Sequence, residues 1–301
     1  MANNIQLAQN YVPLLDEVYK NASLTSDLDG SPELVRAGAN AGELIIPMMD
    51  MDGLADYSRN SGYVDGDVTL KNQTVACNYD RGRGFTVDSM DNAETAGIAF
   101  GRLAGEFIRT KAVPELDAFR LSSYAGIKGI SKGYGSISTG EALIKNLREA
   151  VSKMDEDEVP AEERYLYLRS DLYGIVDDMD TTKSRKILEK FTKIISVPSS
   201  RFATGITLND GKTEGQTKGG YKKSDDSIDI NFMIIHKPAV IQFTKHQAPK
   251  IIDPATNQKA DAWFYGYRMV GIAKYYQNKT AGIYCHTVTE MPAETTADDN
   301  A

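Results

Sequence analysis

The sequence predicts an α+β protein, and three observations lead to this prediction. A long helical pattern covers residues 92–111, helical and strand patterns alternate over residues 136–230, and the pattern from Ile228 onward is mostly β. The chain has 301 residues, of which 41% are hydrophobic and 25% charged. It is therefore long and apolar enough to form one large domain or two ordinary ones.

The long helix at residues 92–111 is the segment around which the chain is organised. Asp91 stands at the N-cap position, and Glu94 completes the spacing of a capping box. One apolar face is formed by residues at four-three-four spacing, namely Ala96, Phe100, Leu103 and Phe107. Proline cannot donate a backbone hydrogen bond and disfavours helix in the residue before it, so Pro114 is predicted to end this helix.

Three glycines at i, i+4 spacing, Gly97, Gly101 and Gly105, form a bare stripe along the same helix. Each glycine costs about 1 kcal/mol relative to alanine inside a helix, so three of them call for a physical reason. The stripe permits close packing, either by a segment of the same subunit or by a segment of a neighbouring subunit. The residues alone leave both interpretations open.

The first 90 residues contain little that could form a core. Residues 1–43 read as an arm, and residues 44–48 as a strand. Two β-rich runs, residues 64–70 and 74–79, predict a hairpin whose turn begins at Lys71. The alternation in these runs is weak and polar, which indicates a hairpin that projects from the body of the protein.

The remaining elements follow in chain order. Pro114 suits the start of a second helix, the glycine-rich residues 126–136 read as a linker, and Thr139 caps a clean amphipathic helix. Residues 209–226 predict a mobile surface loop, because they combine glycines and charges with few apolar side chains, and residues 288–301 read as a disordered tail. The other predictions are a short helix at 171–179 and strands at 164–168, 194–197, 239–244, 262–276 and 282–285.

The motifs of common enzyme classes are missing from the sequence. His236, His246 and His286 lack the spacing of metal ligands, and no nucleophile elbow or phosphate-binding loop occurs. Cys77 and Cys285 lie far apart in the sequence, which favours a reducing compartment over a disulfide. We therefore expect no catalytic residues, no metal and no cofactor.

The charge pattern limits the possible partners. A net charge of −8 argues against broad coating of nucleic acid and against an anionic membrane surface. No apolar run is long enough to cross a bilayer, and the N-terminus lacks the pattern of a signal peptide, so we expect an intracellular protein. Arg81 and Arg83 flank Gly82 near the predicted hairpin. They suit ion pairs with an acidic partner, or with Asp80 and Asp88 of the same chain.

Several stretches in this order carry a family resemblance: YDRGRGFTVDSMD, EFIRTKAVPELDAFR, INFMIIHKPAVI and NQKADAWFYGYR. With the acidic arm and the projecting hairpin, they resemble the major capsid proteins of tailed bacteriophages over residues 5–287. That family shares a two-domain shell fold with herpesvirus capsids, the HK-ninety-seven-like fold. The resemblance implies an α+β fold with an axial domain, a peripheral domain containing a long spine helix, an extended β-hairpin loop and an N-terminal arm.

The resemblance also implies a domain map and a set of partners. The expected segments are an arm (1–43), an extended loop and its base (44–90), a peripheral domain with the spine helix (91–135), an axial domain (136–230), the β part of the peripheral domain (231–287) and a tail (288–301). The implied function is an icosahedral shell of hexamers and pentamers that encloses double-stranded DNA without sequence-specific binding. Other implied partners are portal and decoration proteins, and either a separate scaffolding protein or none would assist assembly. The protein would be made and assembled in the host bacterial cytoplasm and reside in the virion, with no membrane partner.

Two other functions stay open at this stage. One is a cellular, encapsulin-like nanocompartment shell that packs protein cargo, and the other is a small-molecule enzyme. Some capsid relatives join subunits through lysine–asparagine cross-links. Lys71 is a candidate donor for such a link, but no acceptor asparagine or catalytic glutamate can be matched. The candidate inter-subunit contact residues are Lys71, Arg81, Arg83, Gly97, Gly101 and Gly105.

Overall fold

The computed structural model of the chain describes residues 23–30, 36–37, 43–59, 62–90, 98–178 and 186–292. The strands are β1 (Arg36–Ala37), β2 (Glu43–Met51), β3 (Val68–Ala76), β4 (Tyr79–Asp88), β5 (Ser131–Tyr134), β6 (Arg164–Arg169), β7 (Lys193–Val197), β8 (Ile206–Leu208), β9 (Tyr221–Lys223), β10 (Ile230–His236), β11 (Val240–Ile252), β12 (Ala262–Tyr275) and β13 (Ile283–Thr287). The α-helices are α1 (Ile98–Phe107), α2 (Val113–Ala125), α3 (Gly140–Glu156) and α4 (Ser170–Asp177), and a π-helix, Ile108–Ala112, joins α1 to α2. Short 3₁₀ segments lie at Ser26–Leu28, Leu188–Lys190, Ser199–Arg201, Lys237–Ala239 and Gln277–Gly282. The prediction of an α+β fold is confirmed.

A five-stranded mixed sheet, in the order β5-β13-β10-β6-β7, forms the larger layer. Alternate residues of its strands face two hydrophobic cores. Leu166, Phe232 and Ile234 face α3 and α4, whereas Tyr167 and Met233 face α2. The central strand β10 is buried along its whole length because helices cover both faces of the sheet.

Helix α3 closely matches its prediction. The Thr139 hydroxyl accepts a hydrogen bond from the Ala142 amide at 3.3 Å, as an N-cap should. The predicted apolar face is fully buried, and it consists of Leu143, Leu147, Ala150, Val151 and Met154.

A second sheet, in the order β11-β12-β4, packs against the long helix. Its strands are antiparallel, and β12 pairs with both neighbours along most of its fourteen residues. Phe85 of β4 meets Phe107 of α1 edge-on, with ring centroids 4.9 Å apart. Ile108, Leu116 and Tyr265 are buried between the helix and the sheet.

The long helix does not end before Pro114, and that prediction was wrong. Backbone dihedral angles remain right-handed helical at Phe107, Ala112 and Val113, and Pro114 lies in the first turn of α2. In the π-helix the Val113 amide donates to the Ile108 carbonyl five residues back, and Pro114 stands in the first turn of α2, where proline is tolerated. The predicted N-terminal cap at Asp91 and Glu94, together with Ala96 and Gly97, lies outside the described residues.

The projecting hairpin exists, but its predicted turn was wrong. Strand β3 runs unbroken through Lys71 and pairs antiparallel with β2, so that Lys71 lies opposite Met48. The true connection is residues 52–67, and β4 belongs to the other sheet. The polar residues at 71–73 resemble a turn in sequence because β3 is exposed along most of its length and needs no apolar face.

Sheet pairing crosses the expected domain boundary at residues 230/231, which stays a prediction. Strands β10 and β13 join the sheet of β6 and β7, whereas β11 and β12 pair with β4. Residues 231–287 are therefore shared between the two sheets. The expected linker at 126–136 contains β5, an edge strand of the larger sheet. The beginning of the expected tail is attached to the body, since the Val288 amide donates to the Asp229 carbonyl at 2.9 Å.

Candidate assembly surfaces

The projecting hairpin carries most of the exposed apolar surface in the described part of the chain. We call residues 52–67 the hairpin loop. Seven of the ten large exposed hydrophobic or aromatic residues belong to this loop or to the strand ends beside it: Met51, Leu54, Tyr57, Tyr63, Val64, Val68 and Leu70. Leu54 is fully exposed, and the rings of Tyr57 and Tyr63 lie 5.0 Å apart. Exposed apolar surface of this extent on a projecting element is typical of a protein–protein contact.

The hairpin loop is also acidic. Four aspartates and one arginine give it a net charge of −3, and they are Asp52, Asp56, Asp65, Asp67 and Arg59. The Asp52 carboxylate accepts a hydrogen bond from the Asp67 amide at 2.9 Å, and the Asp52 amide donates to the Asp67 carbonyl at 3.2 Å. These two hydrogen bonds join the first and last residues of the loop and fix its ends relative to each other.

A groove of about 830 Å³ lies at the root of this hairpin, between β4, the α1–π-helix–α2 junction and the residue 209–220 loop. We call it the root groove. Its apolar wall includes Phe85, Leu103, Phe107, Pro114 and Met269. Three cations lie at its edge on exposed residues, Arg83, Lys111 and Lys218. Among the described residues, none of these three forms an ion pair, and the Arg83 guanidinium donates to the Thr217 carbonyl at 3.2 Å.

Arg81 forms hydrogen bonds to two other walls of the groove within the same subunit. Its Nε donates to Glu115 Oε1 at 2.8 Å, and its Nη2 donates to the Asn209 carbonyl at 2.7 Å. The Tyr79 hydroxyl donates to the same carboxylate at 3.2 Å. Burial, and next the charge of Glu115, raise the pKa of Tyr79, so the phenol remains protonated. Arg81 thus links β4, the long helix and the 209–220 loop.

The residue 209–226 loop is more ordered than its composition predicts. Asp210 accepts hydrogen bonds from the Lys212 and Thr213 amides at 2.8 and 2.9 Å, and Asn209 bonds to Gly220 across the neck of the loop. The prediction of a loop is confirmed for residues 209–220, and it was wrong for Tyr221–Lys223, which form strand β9 and pair with β8. The structure adds the contacts of Arg81 and Arg83 that hold it against β4.

The glycine stripe is described only in part. Gly97 lies outside the described residues, and Gly101 lies in α1. At Gly105, a Cβ atom would meet no atom of the described residues within 4 Å, apart from its chain neighbours and the backbone of its own helix. No described residue of the same subunit fills the space beside Gly105.

A buried polar cluster, which sequence reasoning missed, holds the arm. We call it the arm clasp. Asp117 is fully buried and accepts hydrogen bonds from the Ser23 hydroxyl at 2.9 Å, the Leu24 amide at 3.0 Å and the Thr25 hydroxyl at 2.7 Å. Burial raises the pKa of the Asp117 carboxyl group, and the hydrogen bonds from Leu24 and Thr25 oppose that shift. Arg201 approaches the same carboxylate at 3.6 Å.

Arg120 and Gln242 complete the clasp. Arg120 is 1% exposed and donates to the Thr25 hydroxyl at 3.0 Å and to Asp29 at 3.3 Å. Gln242 of β11 donates to the Thr25 carbonyl at 2.6 Å and to Asp29 at 2.9 Å. Residues 23–30 are therefore bound to their own subunit.

A sequence signal for the clasp was present. Two charged residues, Asp117 and Arg120, lie on the same face of α2 as two apolar or aromatic residues, Leu121 and Tyr124. The four occupy positions i, i+3, i+4 and i+7 of the helix, and all of them are buried.

The described residues contain no group of three His, Cys, Asp or Glu side chains that could hold a metal ion. His286 stacks on Phe232 with ring centroids 4.8 Å apart, and burial lowers its pKa to about 4. Burial raises the pKa of the Cys285 thiol to about 12, and Cys77 and Cys285 are both free. His286 and Cys285 are therefore core residues rather than reactive ones. None of the helices in the described ranges is long and apolar enough to span a membrane.

Comparison with known proteins identifies the fold. Neither a protein-family model nor a curated protein sequence matches the chain. Among solved structures, the chain is similar to the capsid of the cyanophage P-SCSP1u, with a TM-score of 0.58 and 12% identity over 85% of this chain and 86% of that one. It is similar to the mature capsid of bacteriophage PhiM1, with a TM-score of 0.55 and 10% identity over 84% and 83% of the two chains. It is also similar to a virus-like particle from Pyrococcus furiosus, with a TM-score of 0.52 and 10% identity over 92% and 99%.

These similarities confirm the resemblance at the level of the fold. The chain has the HK-ninety-seven-like fold of tailed-phage capsid proteins over most of its length. Identities of 10–12% establish the fold alone.

Proposed function

We propose that this protein is the major capsid protein of a tailed phage. Copies of the chain assemble into hexamers and pentamers and then into an icosahedral shell that encloses double-stranded DNA. The observation that carries the proposal, beyond the fold itself, is the projecting hairpin with its exposed apolar residues. The exposed apolar side chains of this hairpin do not stabilise an isolated subunit, whereas contact with neighbouring copies would bury them.

The energetics suit repeated weak contacts. Fully burying one large apolar side chain contributes about 1.5–3 kcal/mol, so burying Leu54 and Tyr57 alone would contribute about 3–6 kcal/mol per contact before the entropy of association is subtracted. A closed shell repeats this contact around every subunit. The net charge of −8 suits a wall that encloses DNA without gripping it. Scaffolding, portal and decoration proteins would act with the shell, and assembly would take place in the host bacterial cytoplasm.

A second candidate is a cellular shell that packs protein cargo. The similarity to the virus-like particle from Pyrococcus furiosus, which covers 99% of that chain, supports this second candidate function. The contents of the particle distinguish the two candidates. Nuclease-protected double-stranded DNA would support the phage capsid, and a co-purifying protein without DNA would support the nanocompartment.

The experiment is assembly followed by light scattering and negative-stain electron microscopy. Wild-type protein, alone or with a scaffolding protein, should form closed shells or capsomers. A triple variant, Leu54→Ser, Tyr57→Ser and Tyr63→Ser, should keep the wild-type circular dichroism spectrum and fail to assemble, because these side chains are exposed in the subunit. The matched control is Tyr173→Ser, an exposed aromatic residue of α4. Wild-type protein that stays monomeric or dimeric at every concentration and salt condition, with or without scaffold, would contradict the proposal.

A further inference from the structure

We infer that residues 11–19 of the arm occupy the root groove of their own subunit before assembly. The inference goes beyond the proposed function, because it concerns the unassembled subunit and names what covers the groove there. We call residues 11–19, with the sequence YVPLLDEVY, the apolar segment. Three observations carry the inference: the place where the described part of the arm begins, the apolar surface of both partners, and their charges.

The described part of the arm begins beside the groove. Its first residue is Ser23, whose hydroxyl donates to Asp117 Oδ1 at 2.9 Å. Asp117 follows Glu115, a groove residue, by two positions, which is about 3 Å along the axis of α2. The arm clasp therefore fixes Ser23 next to the wall that α2 contributes to the groove.

A second wall of the groove lies close to the same carboxylate. Arg201 Nη1 is 3.6 Å from Asp117 Oδ2. The neighbouring residue, Ser200, accepts a hydrogen bond at its carbonyl from the hydroxyl of Tyr221, which lines the groove. The arm thus starts between two walls of the groove.

The apolar segment is near enough to Ser23 to lie in this groove. Tyr19 precedes Ser23 by four residues and Tyr11 by twelve, which corresponds to about 13 to 40 Å of extended chain. A tether of this length gives an effective concentration of roughly millimolar within one chain. In dilute solution, the segment of the same subunit therefore binds in preference to that of a second copy.

The apolar match concerns the segment and the groove wall. Six of the nine residues of the segment are large and apolar or aromatic: Tyr11, Val12, Leu14, Leu15, Val18 and Tyr19. The groove is about 830 Å³ in volume, and its wall includes Phe85, Leu103, Phe107 and Met269. A groove of this size can hold several such side chains. The C-terminal residues 293–301 do not match this wall, because they contain no large apolar side chain.

The charge match concerns the segment and the groove edge. Asp16 and Glu17 give the apolar segment a net charge of −2. The acids that line the groove have partners within the subunit: Glu106 with Arg109 at 2.8 Å, Glu115 with Arg81 at 2.8 Å, and Asp210 with the Lys212 amide at 2.8 Å. The exposed cations at the edge, Arg83, Lys111 and Lys218, are thus available to an acidic segment. The arm then has two attachments to its subunit, the clasp at residues 23–30 and the groove at residues 11–19.

The first test is zero-length carbodiimide cross-linking of unassembled wild-type protein, prepared in dilute solution as a mixture of ¹⁴N- and ¹⁵N-labelled chains. We expect amide links from Asp16 or Glu17 to Lys111 or Lys218, each joining two peptides with the same label. Links between light and heavy peptides would assign the groove to a second copy, and links from residues 293–301 would assign it to the tail. Either result, or no link from Asp16 or Glu17 to these two lysines, would overturn the inference.

The second test is limited proteolysis with chymotrypsin, which cuts after Leu15 and Tyr19 in an accessible chain. In unassembled wild-type protein these cuts should be at least tenfold slower than in a free peptide of residues 1–22, because the groove shields the segment. Lys111→Glu should speed the cuts at least threefold at low salt, because it places a like charge beside Asp16 and Glu17.

Lys145→Glu is the matched control, because Lys145 is an exposed lysine of α3 outside the groove, and its cleavage rate should equal that of the wild type. Wild-type protein that is cut as fast as the free peptide, or equal rates in Lys111→Glu and Lys145→Glu, would refute the occupancy. Both tests use the unassembled subunit, so a failure here leaves the proposed function intact. Protein that passes both and never forms shells contradicts the proposed function alone.

Discussion

Removing the Asp117 carboxylate should destabilise the unassembled subunit strongly. In Asp117→Ala, the Ser23 hydroxyl, the Leu24 amide and the amide and hydroxyl of Thr25 lose their common acceptor in a buried site. Each unsatisfied buried donor costs about 1–3 kcal/mol, and removing one partner of a buried charge pair costs about 3–5 kcal/mol. Because some of these donors can turn to water as residues 23–30 detach, we expect a loss of about 3–5 kcal/mol.

This loss converts into a measurable shift of the melting temperature. At about 2.1 cal/mol/K per residue, the unfolding entropy of this chain is about 0.6 kcal/mol/K, so Tm should fall by about 5–8 °C. Differential scanning calorimetry of unassembled protein measures the shift. Hydrogen exchange should show faster exchange of the Leu24 and Thr25 amides, which is the local sign that the clasp has opened.

The control is Asp225→Ala, which removes an exposed aspartate and should shift Tm by less than about 1 °C. A fall of less than 2 °C in Asp117→Ala, with the Leu24 and Thr25 amides still protected, would refute the reasoning. It would mean that the buried carboxylate contributes nothing to holding the arm.

Three further predictions concern the helix, the 209–226 loop and pH. Gly101→Leu should block shell formation while leaving helix content unchanged if a neighbouring subunit fills the glycine stripe, and should instead lower the Tm of the subunit if the same chain fills it; wild-type melting with normal assembly would contradict both. Arg81→Met should speed trypsin cleavage after Lys212, because it frees the neck of the 209–226 loop; unchanged cleavage would show that Arg81 does not restrain it. Burial lowers the pKa of His286 to about 4 in the folded protein. Between pH 6.5 and 4 the unfolded chain therefore binds a proton at His286 that the folded protein does not bind. The free energy of unfolding should fall as the pH falls through that range, by at most about 3 kcal/mol. Urea unfolding at several pH values should show a flatter profile for His286→Asn, and an unchanged profile would rule His286 out as the cause.

The sequence by itself determined those elements whose apolar residues form one continuous face, because their periodicity is local. Helix α3 follows from Thr139 and its apolar spacing alone, because a cap and a 3.6-residue repeat are properties of the segment itself. The same holds for the helical character around Phe107, although not for where that helix stops. The order of several weak stretches, rather than any single motif, led to the fold.

Tertiary structure decided what depends on contacts between distant segments. Lys71 looks like part of a turn, but pairing with β2 makes it the middle of a strand. Pro114 looks like a helix stop, but a π-turn and packing against Tyr265 and Met269 carry the helix through it. Tertiary contacts routinely override local preferences of this size, since burying a single large side chain contributes about 1.5–3 kcal/mol.

The candidate surfaces divide in the same way. The existence of a projecting hairpin could be anticipated, because a segment without a core pattern must either stay exposed or find a partner, but its turn and its apolar loop could not. The root groove and the partners within the arm clasp could not be anticipated, although the helix face of Asp117, Arg120, Leu121 and Tyr124 indicated a buried charged site. Both features join segments that are distant in sequence, such as Thr25 with Asp117 and Gln242, or Arg81 with Asn209. Hydrogen bonds between such residues are short-range and directional. They become possible only after the two sheets and the long helix have brought the partners within about 3 Å, and that arrangement is a property of the whole fold.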